Sequence, residues 1–270
     1  MLVRKALTLA GKTLGDRREG QYLVAAFLDI GLADLLAHPE RLVADETEFQ
    51  HWLKERAGGK PLAYLSHRQD FFGRTFFIDE RVLIPRPETE LLVEEAVSLA
   101  QTRCRGDCMI ADIGTGSGCI AITLALELPH VRLWATDLSG SALEVARRNA
   151  FDHAVECRIT FLEGDLLDPL PGPVDLLVAN LPYVSSTWVR GESSIAFEPR
   201  QALDGGEDGA DVLRRLLLLL PSHLRSSGSA LLEIGEEQSF LAEWAQELLG
   251  GTATVIPDLA GKPRLMRWSE

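Results

Sequence analysis

Apolar residues recur at spacings of three and four in "RKALTLAGKTL", "GQYLVAAFLDIGL" and "DETEFQHWLKERAGG". That period predicts short amphipathic helices from the start of the chain to about residue 58, and Gly31, Pro39 and Gly58-Gly59 punctuate them. Between residues 60 and 86 the pattern changes. "DFFGRTFFIDERVLIPRPE" is aromatic and β-branched, with Gly73 between two Phe-rich runs, which predicts a hairpin. The helix "ETELLVEEAVSLA" follows, with Glu88 and Glu90 in its first turn, where the helix dipole favours acid.

From about residue 108 the pattern alternates. "CMIADI", "VRLWATD", "ECRITFLEGD" and "VDLLVAN" read as strands, with "GCIAITLALEL" and "GSALEVARRNAF" as helices among them. The helix "ADVLRRLLLLLPSHL", the strand "SALLEI", the helix "QSFLAEWAQELL" and two short strands near "TATVI" and "RLMRW" complete the chain. Strands separated by helices of this length predict an α/β fold, a mostly parallel twisted sheet with helices on both faces. Ligands in such folds bind at the carboxyl ends of the strands. The expected domains are a helical bundle over residues 1–70, a β-hairpin linker over 71–86 and an α/β domain over 87–270.

Composition narrows the class. The 270 residues are 46% apolar and 25% charged, ordinary for a soluble globular protein. The N-terminus has no apolar core or cleavage-site pattern, so no signal peptide is expected. Leu216 to Leu220 is far shorter than the roughly 20 residues of a membrane span and predicts the buried face of a helix. Cys104, Cys108, Cys119 and Cys157 lack a second Cys/His pair at zinc-site spacing, so reduced thiols and no metal site are expected. The net charge of −13 is uneven. Residues 1–80 carry 11 basic and 12 acidic side chains, the remainder 16 and 28. An acidic α/β domain is a poor match for a phosphate backbone and leans toward a protein or small-molecule substrate.

"ADIGTGSGCIAI" sets Gly114, Gly116 and Gly118, with Thr115 and Ser117 between them, at a strand-to-helix turn. Glycines there let a ligand touch the backbone, and the helix start offers free N–H groups. Gly118 is followed by Cys119, not by the Lys of a P-loop. The pattern is D-x-G-x-G-x-G, opening on Asp112, rather than the G-x-G-x-x-G of dinucleotide folds. It resembles the first motif of class I S-adenosylmethionine-dependent methyltransferases. Asp137 ends the next strand, where a carboxylate can accept both ribose hydroxyls. Asp165 in "LEGDLL" could accept from an adenine amino group, with Leu166 packing on the ring.

Asn180-Leu181-Pro182-Tyr183 ends the fourth strand. Asn and Pro are turn residues, so a plain turn is one reading. The other is chemical. An amide or exocyclic amino nitrogen is a weak nucleophile because its lone pair is delocalised, on the scale of an amide rotation barrier of about 18–20 kcal/mol. Two fixed acceptors help such a nitrogen more than a charged base does. The Asn180 side-chain oxygen and the Leu181 backbone carbonyl can hold its two protons and favour the developing positive charge. Pro182 keeps Leu181 extended and brings no competing N–H. The Tyr183 ring can pack against a planar substrate.

This tetrapeptide resembles the (N/D)-P-P-Y loop of methyltransferases acting on adenine N6, cytosine N4 and glutamine amides, with Leu181 in place of the commoner Pro. Asn-Leu-Pro-Tyr is also similar to the loop of ribosomal RNA adenine dimethyltransferases. "GKPLAYL", "FFGRTFFID", "VLIPRPETELLVEEA", "DIGTGSGCIAI", "EPRQALDGGEDG", "LLEIGEEQ" and "DLAGKPR" together resemble the peptide-chain release factor glutamine methyltransferase family, from about residue 58 onward.

The resemblance implies a helical substrate-recognition domain, a hairpin linker and a Rossmann-like class I methyltransferase domain. It implies S-adenosylmethionine as cofactor, with S-adenosylhomocysteine as product. The implied reaction is N5 methylation of the glutamine in the Gly-Gly-Gln motif of class 1 release factors, by a cytoplasmic monomer that binds neither nucleic acid nor membrane. The cofactor residues it implies are Asp112, Gly114, Thr115, Gly116, Ser117, Gly118, Asp137, Asp165, Leu166 and Asn180. The catalytic and substrate residues are Asn180, Leu181, Pro182 and Tyr183. Arg86 and Glu88 are expected either at the crevice mouth or in a plain hinge and helix start. A ribosomal-protein glutamine methyltransferase and a nucleic-acid adenine methyltransferase are the alternatives.

Overall fold

The computed structural model describes residues 1–103, 108–192 and 195–270. The chain divides into two compact units, Met1–Arg68 and Gln69–Glu270.

The first unit contains α1 (Val3–Leu14), α2 (Arg17–Leu28), α3 (Leu32–Ala37), α4 (Glu46–Ala57) and α5 (Leu62–Ser66). Helix starts follow their capping residues. Asp16 accepts from the N–H groups of Arg18 and Glu19, and Asp45 from that of Glu48. Val3, Ala6, Ala10, Leu23, Val24, Leu35, Phe49 and Leu53 form the core. Phe27 meets Phe49 and Trp52 edge-on at 5.3 and 5.2 Å, a favoured aromatic geometry. Gly20 lets α2 close on α1, since a Cβ there would sit 2.6 Å from the Gly11 nitrogen. Two of the helices, α3 and α5, are too short to show a period and were not expected from the sequence.

A hairpin of β1 (Arg68–Phe71) and β2 (Arg74–Phe77) begins at the boundary, and all of it but Arg68 belongs to the second unit. Phe72 and Gly73 both take positive φ, 52° and 67°, as a two-residue type I′ turn requires. The Phe72 N–H donates to Glu90 at 2.7 Å, which offsets the cost of that conformation in a non-glycine residue. A 3₁₀ turn over Pro87–Thr89 leads into α6 (Glu90–Arg103). Glu88 therefore falls in the 3₁₀ turn and only Glu90 in the first turn of α6.

The rest runs β3 (Met109–Ile113), α7 (Cys119–Glu127), β4 (Arg132–Asp137), α8 (Gly140–Asp152), β5 (Ile159–Glu163), β6 (Val174–Ala179) and α9 (Ser186–Gly191). It closes with α10 (Asp211–His223), β7 (Leu224–Glu233), α11 (Phe240–Leu249), β8 (Thr252–Pro257) and β9 (Pro263–Ser269). The seven-stranded sheet has the order β5-β4-β3-β6-β7-β9-β8. β3 pairs in parallel with β4 and β6, and β6 with β7, while β9 runs antiparallel to both β7 and β8. The order reverses between β3 and β6, which is where α/β sheets open a crevice.

Alternation decides which residue faces which layer. Ala111, Ile113, Leu177, Ala179, Ala230 and Leu232 join Leu213, Leu216, Leu217 and Leu220 of α10 and Leu241 and Ala245 of α11 in one core. The leucine run is thus a helix face only in part, because Leu218 is 54% exposed. Leu218→Lys is expected to change unfolding free energy by no more than about 0.5 kcal/mol, measured by urea titration. Asp112 faces the opposite layer, accepting from the Ala121 N–H of α7 at 3.1 Å. Cys119 and Cys157 carry free thiols, whereas Cys108 is disulfide-bonded, against the expectation of reduced thiols throughout. Cys104 lies outside the described residues.

Candidate active site

A cavity of about 300 Å³ opens at the carboxyl ends of β3, β4, β5 and β6. Gly114, Thr115, Gly116 and Ser117 line it from the loop after β3, Asp137 from the end of β4, and Asp165 and Leu166 from the loop after β5. Asn180, Leu181 and Pro182 line it from the loop after β6.

The glycine loop is held from below and behind. The N–H groups of Gly114 and Thr115 both donate to the Thr136 carbonyl at 2.9 Å. Gly118 takes φ 80°, and a Cβ on it would meet Ile122 at 2.9 Å and Ala146 at 3.1 Å. The turn into α7 can therefore be this tight only with glycine. Asn149, buried on α8, donates to the carbonyls of Ser117 (2.8 Å) and Phe77 (3.0 Å) and accepts from the Phe77 N–H (2.8 Å). One amide thus ties the hairpin to the loop.

Asp112 and Gly118, expected to bind cofactor, do not line the cavity. Asp112 is fully buried and takes the Thr115 hydroxyl (2.6 Å) on the same oxygen that accepts from Ala121. Burial pushes its carboxyl up to about 7, against the pull of those two hydrogen bonds. Its geometry is that of a strut beneath the loop. Spacing alone does not separate a strut from a ligand contact, because both sit at the end of the same strand.

Asp137 accepts from the N–H of Gly116 on one oxygen (2.8 Å) and of Ser139 on the other (2.9 Å). Burial raises its pKa and these bonds oppose the shift. Each oxygen keeps a second lone pair. Asp165 lies beyond the end of β5, and its carboxylate is paired with Arg215 of α10 at 2.5 Å. Leu166 is buried at φ 49°, and its carbonyl accepts from the Thr136 hydroxyl at 3.0 Å.

Around Asn180 the hydrogen bonds sort themselves. The Asn180 Nδ2 donates to the Thr89 hydroxyl at 2.9 Å. The Tyr183 carbonyl accepts from Gln238 Nε2 (2.9 Å), and the Val184 carbonyl from the Gly205 N–H (2.8 Å). Asn180 Oδ1 and the Leu181 carbonyl accept no hydrogen bond among the described residues. Those are the two acceptors that an NH₂ group would need. The Leu181 side chain is buried over Gly114, where it reaches to 2.8 Å of the position a Cβ would take. The leucine in place of proline therefore packs the acceptor loop onto the glycine loop.

The glycine-rich segment after Asp204 clamps the same loop. A Cβ on Gly205 would lie 2.3 Å from the Gly209 carbonyl oxygen and 2.6 Å from that of Pro182. Backbone blocks it on both sides, so Gly205→Ala is expected to cost about 1–3 kcal/mol of stability. It should also slow turnover more than it weakens cofactor binding, as measured by denaturant titration, initial rates and calorimetry.

Tyr183 does not line the cavity. Its hydroxyl donates to Glu233 Oε1 at 3.2 Å and its ring packs against the sheet core. Burial raises the Tyr183 pKa, and the Glu233 charge raises it further. Arg86 lines the cavity and pairs at 2.5 Å with Glu198, whose other oxygen accepts from the Ile84 N–H at 3.2 Å. Glu88 is exposed in the 3₁₀ turn and does not line the cavity. Thr89, Glu233, Gln238 and Glu198 were not singled out from the sequence. All four lie inside the motifs "IPRPETE", "LLEIGEEQ" and "EPRQALDGGEDG", which were the only signal available.

The family model described as the PrmC N-terminal domain matches residues 3–66, and that of the methyltransferase small domain matches residues 88–196. The release factor glutamine methyltransferase of Koribacter versatilis is 37% identical over 95% of this chain and 92% of its own length. That of Moorella thermoacetica is 39% identical over 98% and 97%. A solved methyltransferase from Pyrococcus furiosus superposes with a TM-score of 0.53 at 19% identity, covering 74% of this chain and 90% of its own, and shares the fold. By these matches along nearly its whole length, the chain belongs to the release factor glutamine methyltransferase family.

Proposed function

We propose that this chain methylates the side-chain amide nitrogen of the glutamine in the Gly-Gly-Gln motif of class 1 release factors, in the cytoplasm. The protein is an S-adenosylmethionine-dependent methyltransferase. The observation that carries the reading is the pair of open acceptors, Asn180 Oδ1 and the Leu181 carbonyl, at the edge of a cavity shaped by glycines.

The cavity fits the cofactor. The two carboxylate oxygens of Asp137 have spare lone pairs for the ribose hydroxyls. Leu166 and the exposed Leu138 line the same cavity and offer apolar surface to the adenine. Asp165 lines the cavity with its carboxylate paired to Arg215, so an adenine amino group bound there would share that carboxylate. Gly114 to Ser117 bring backbone to the amino-acid end. The cofactor supplies, when bound, an electrophilic methyl group on a sulfonium centre.

The chain's own residues then do three things. Asn180 Oδ1 and the Leu181 carbonyl accept hydrogen bonds from the two N–H groups of the substrate amide and orient its nitrogen. Their partial negative charge favours the positive charge that grows on that nitrogen. The Gly205–Gly209 segment and Gln238 hold the loop so that no reorganisation is needed during reaction. Tyr183 acts from outside the cavity: its hydroxyl on Glu233 and its ring against the sheet core fix the end of the loop that carries Asn180 and Leu181. No charged base takes part, and the proton leaves to water after transfer.

Incubation with labelled S-adenosylmethionine and a release factor, followed by peptide mass analysis, tests this. Label is expected on the Gly-Gly-Gln glutamine alone. Label that survives replacement of that glutamine overturns the substrate assignment.

A further inference from the structure

The amino-acid end of the cofactor carries both charges, an ammonium and a carboxylate. A backbone carbonyl attracts the first and repels the second, and a backbone N–H does the reverse. The glycine loop has its polar groups sorted at its two ends. At Gly114 the N–H is spent on the Thr136 carbonyl, while the Gly114 carbonyl accepts no hydrogen bond among the described residues. At Ser117 the N–H donates no hydrogen bond among the described residues, and it is the carbonyl that is spent, on Asn149 Nδ2 at 2.8 Å. Both residues line the cavity and Asn149 does not.

Asn149 is 1% exposed on α8, and its amide has only one workable orientation. Its Oδ1 accepts from the Phe77 N–H at 2.8 Å, and Nδ2 donates to the Phe77 carbonyl at 3.0 Å. The reversed amide would set NH₂ against an N–H and an oxygen against two carbonyls. Phe77 thus fixes which end of Asn149 reaches Ser117, and both Nδ2 protons are used. Phe77 is itself held on the same helix, with the Arg148 guanidinium 3.4 Å from its ring centroid.

We propose that Asn149, oriented by the Phe77 backbone, is a positioning residue that keeps the Ser117 carbonyl away from the cofactor, so that this end of the loop presents its N–H to the cofactor carboxylate. Asn149 touches neither the cofactor nor the substrate in this assignment. The inference rests on the proposed placing of the cofactor's amino-acid end on Gly114 to Ser117.

The test uses the full chain and two ligands, S-adenosylhomocysteine and methylthioadenosine, the same nucleoside thioether without the amino-acid end. Calorimetric Kd and Tm are measured for wild type, Asn149→Asp, Asn149→Ser and the double variant Arg74→Ala, Arg148→Ala. Asn149→Asp keeps the size and the acceptor for the Phe77 N–H but sets an oxygen against the Ser117 carbonyl. Its Kd for S-adenosylhomocysteine is expected to rise about tenfold, the scale of one net hydrogen bond. Its Kd for methylthioadenosine should stay within about twofold, a small change in free energy. Asn149→Ser withdraws the donor without adding charge and should show the same selectivity at smaller size. The double variant removes the Arg74–Glu127 ion pair and the Arg148–Phe77 contact, loosening the hairpin without touching Ser117, and should leave both Kd values near wild type. A merely structural Asn149 would weaken both ligands together, in step with Tm. Equal loss for the two ligands in Asn149→Asp and Asn149→Ser therefore overturns this inference and leaves the cofactor site standing. An unchanged S-adenosylhomocysteine Kd in both variants overturns it as well. Wild-type protein that binds the two ligands equally well overturns the placing of the amino-acid end on the loop, and the inference with it.

Discussion

Asn180→Ala is expected to lower kcat by roughly 10²–10³, the scale of removing one preorganised polar partner from a transition state. The loss should fall on kcat because the acceptor matters most as charge develops on the nitrogen. The cavity around Gly114, Asp137 and Leu166 is untouched by the change, so cofactor affinity should drop much less. The alanine also leaves the Thr89 hydroxyl without its Asn180 partner, which adds a stability cost of about 1–3 kcal/mol for a buried polar group. Single-turnover rates at saturating cofactor, beside a calorimetric Kd, separate the two effects. A variant that turns over at near wild-type rate would show that the amide oxygen is not the acceptor.

The second large effect is expected on the other side of the cavity and in the opposite parameter. Asp137→Ala should raise the cofactor Kd about 10²-fold. Two hydrogen bonds to a charged group are at stake, at about 1.5–3 kcal/mol each, and every 1.4 kcal/mol or so is tenfold in affinity. Part of that is not recovered as rate, so kcat at saturating cofactor should stay within a few-fold of wild type. Asp137→Asn is the informative control. It keeps one acceptor oxygen for Gly116 or Ser139 and gives up the charge, and should lie between the two. An Asp137→Ala protein that binds cofactor within about threefold of wild type would sink the ribose assignment.

These two positions were legible in the sequence because each ends a hydrophobic run that is buried on both faces. "VRLWATD" and "VDLLVAN" can only be central strands, and β4 and β6 both flank β3 in the sheet. The glycine pattern marked the third strand end in the same way. Asp112 shows the limit. It shares the motif with Gly114, yet the pleat turns it toward α7, where it carries the loop from beneath. Thr89 and Glu233 were not legible as chemistry. Neither has a local pattern of its own, and their partners lie 91 and 50 residues away. The short helices α3 and α5 escaped for a simpler reason, since six and five residues complete too few turns to display a period. The leucine run was read correctly as buried helix except at Leu218, which a five-residue run must leave outside because a helix buries only one stripe.

The sheet register carries a consequence for the reach of the reaction. Ile113 and Ala179 are partners on adjacent parallel strands. Gly114 and Asn180, each one residue further, therefore leave neighbouring rails about 4.8 Å apart. The spacing between the glycine loop and the Asn180 loop is a lattice constant of the backbone, like the gauge of a track. Insertions in the connections after Asp137 or Glu163 lengthen the line without changing that gauge. In the proposed reaction, a substrate of any size need only present one nitrogen between the rails.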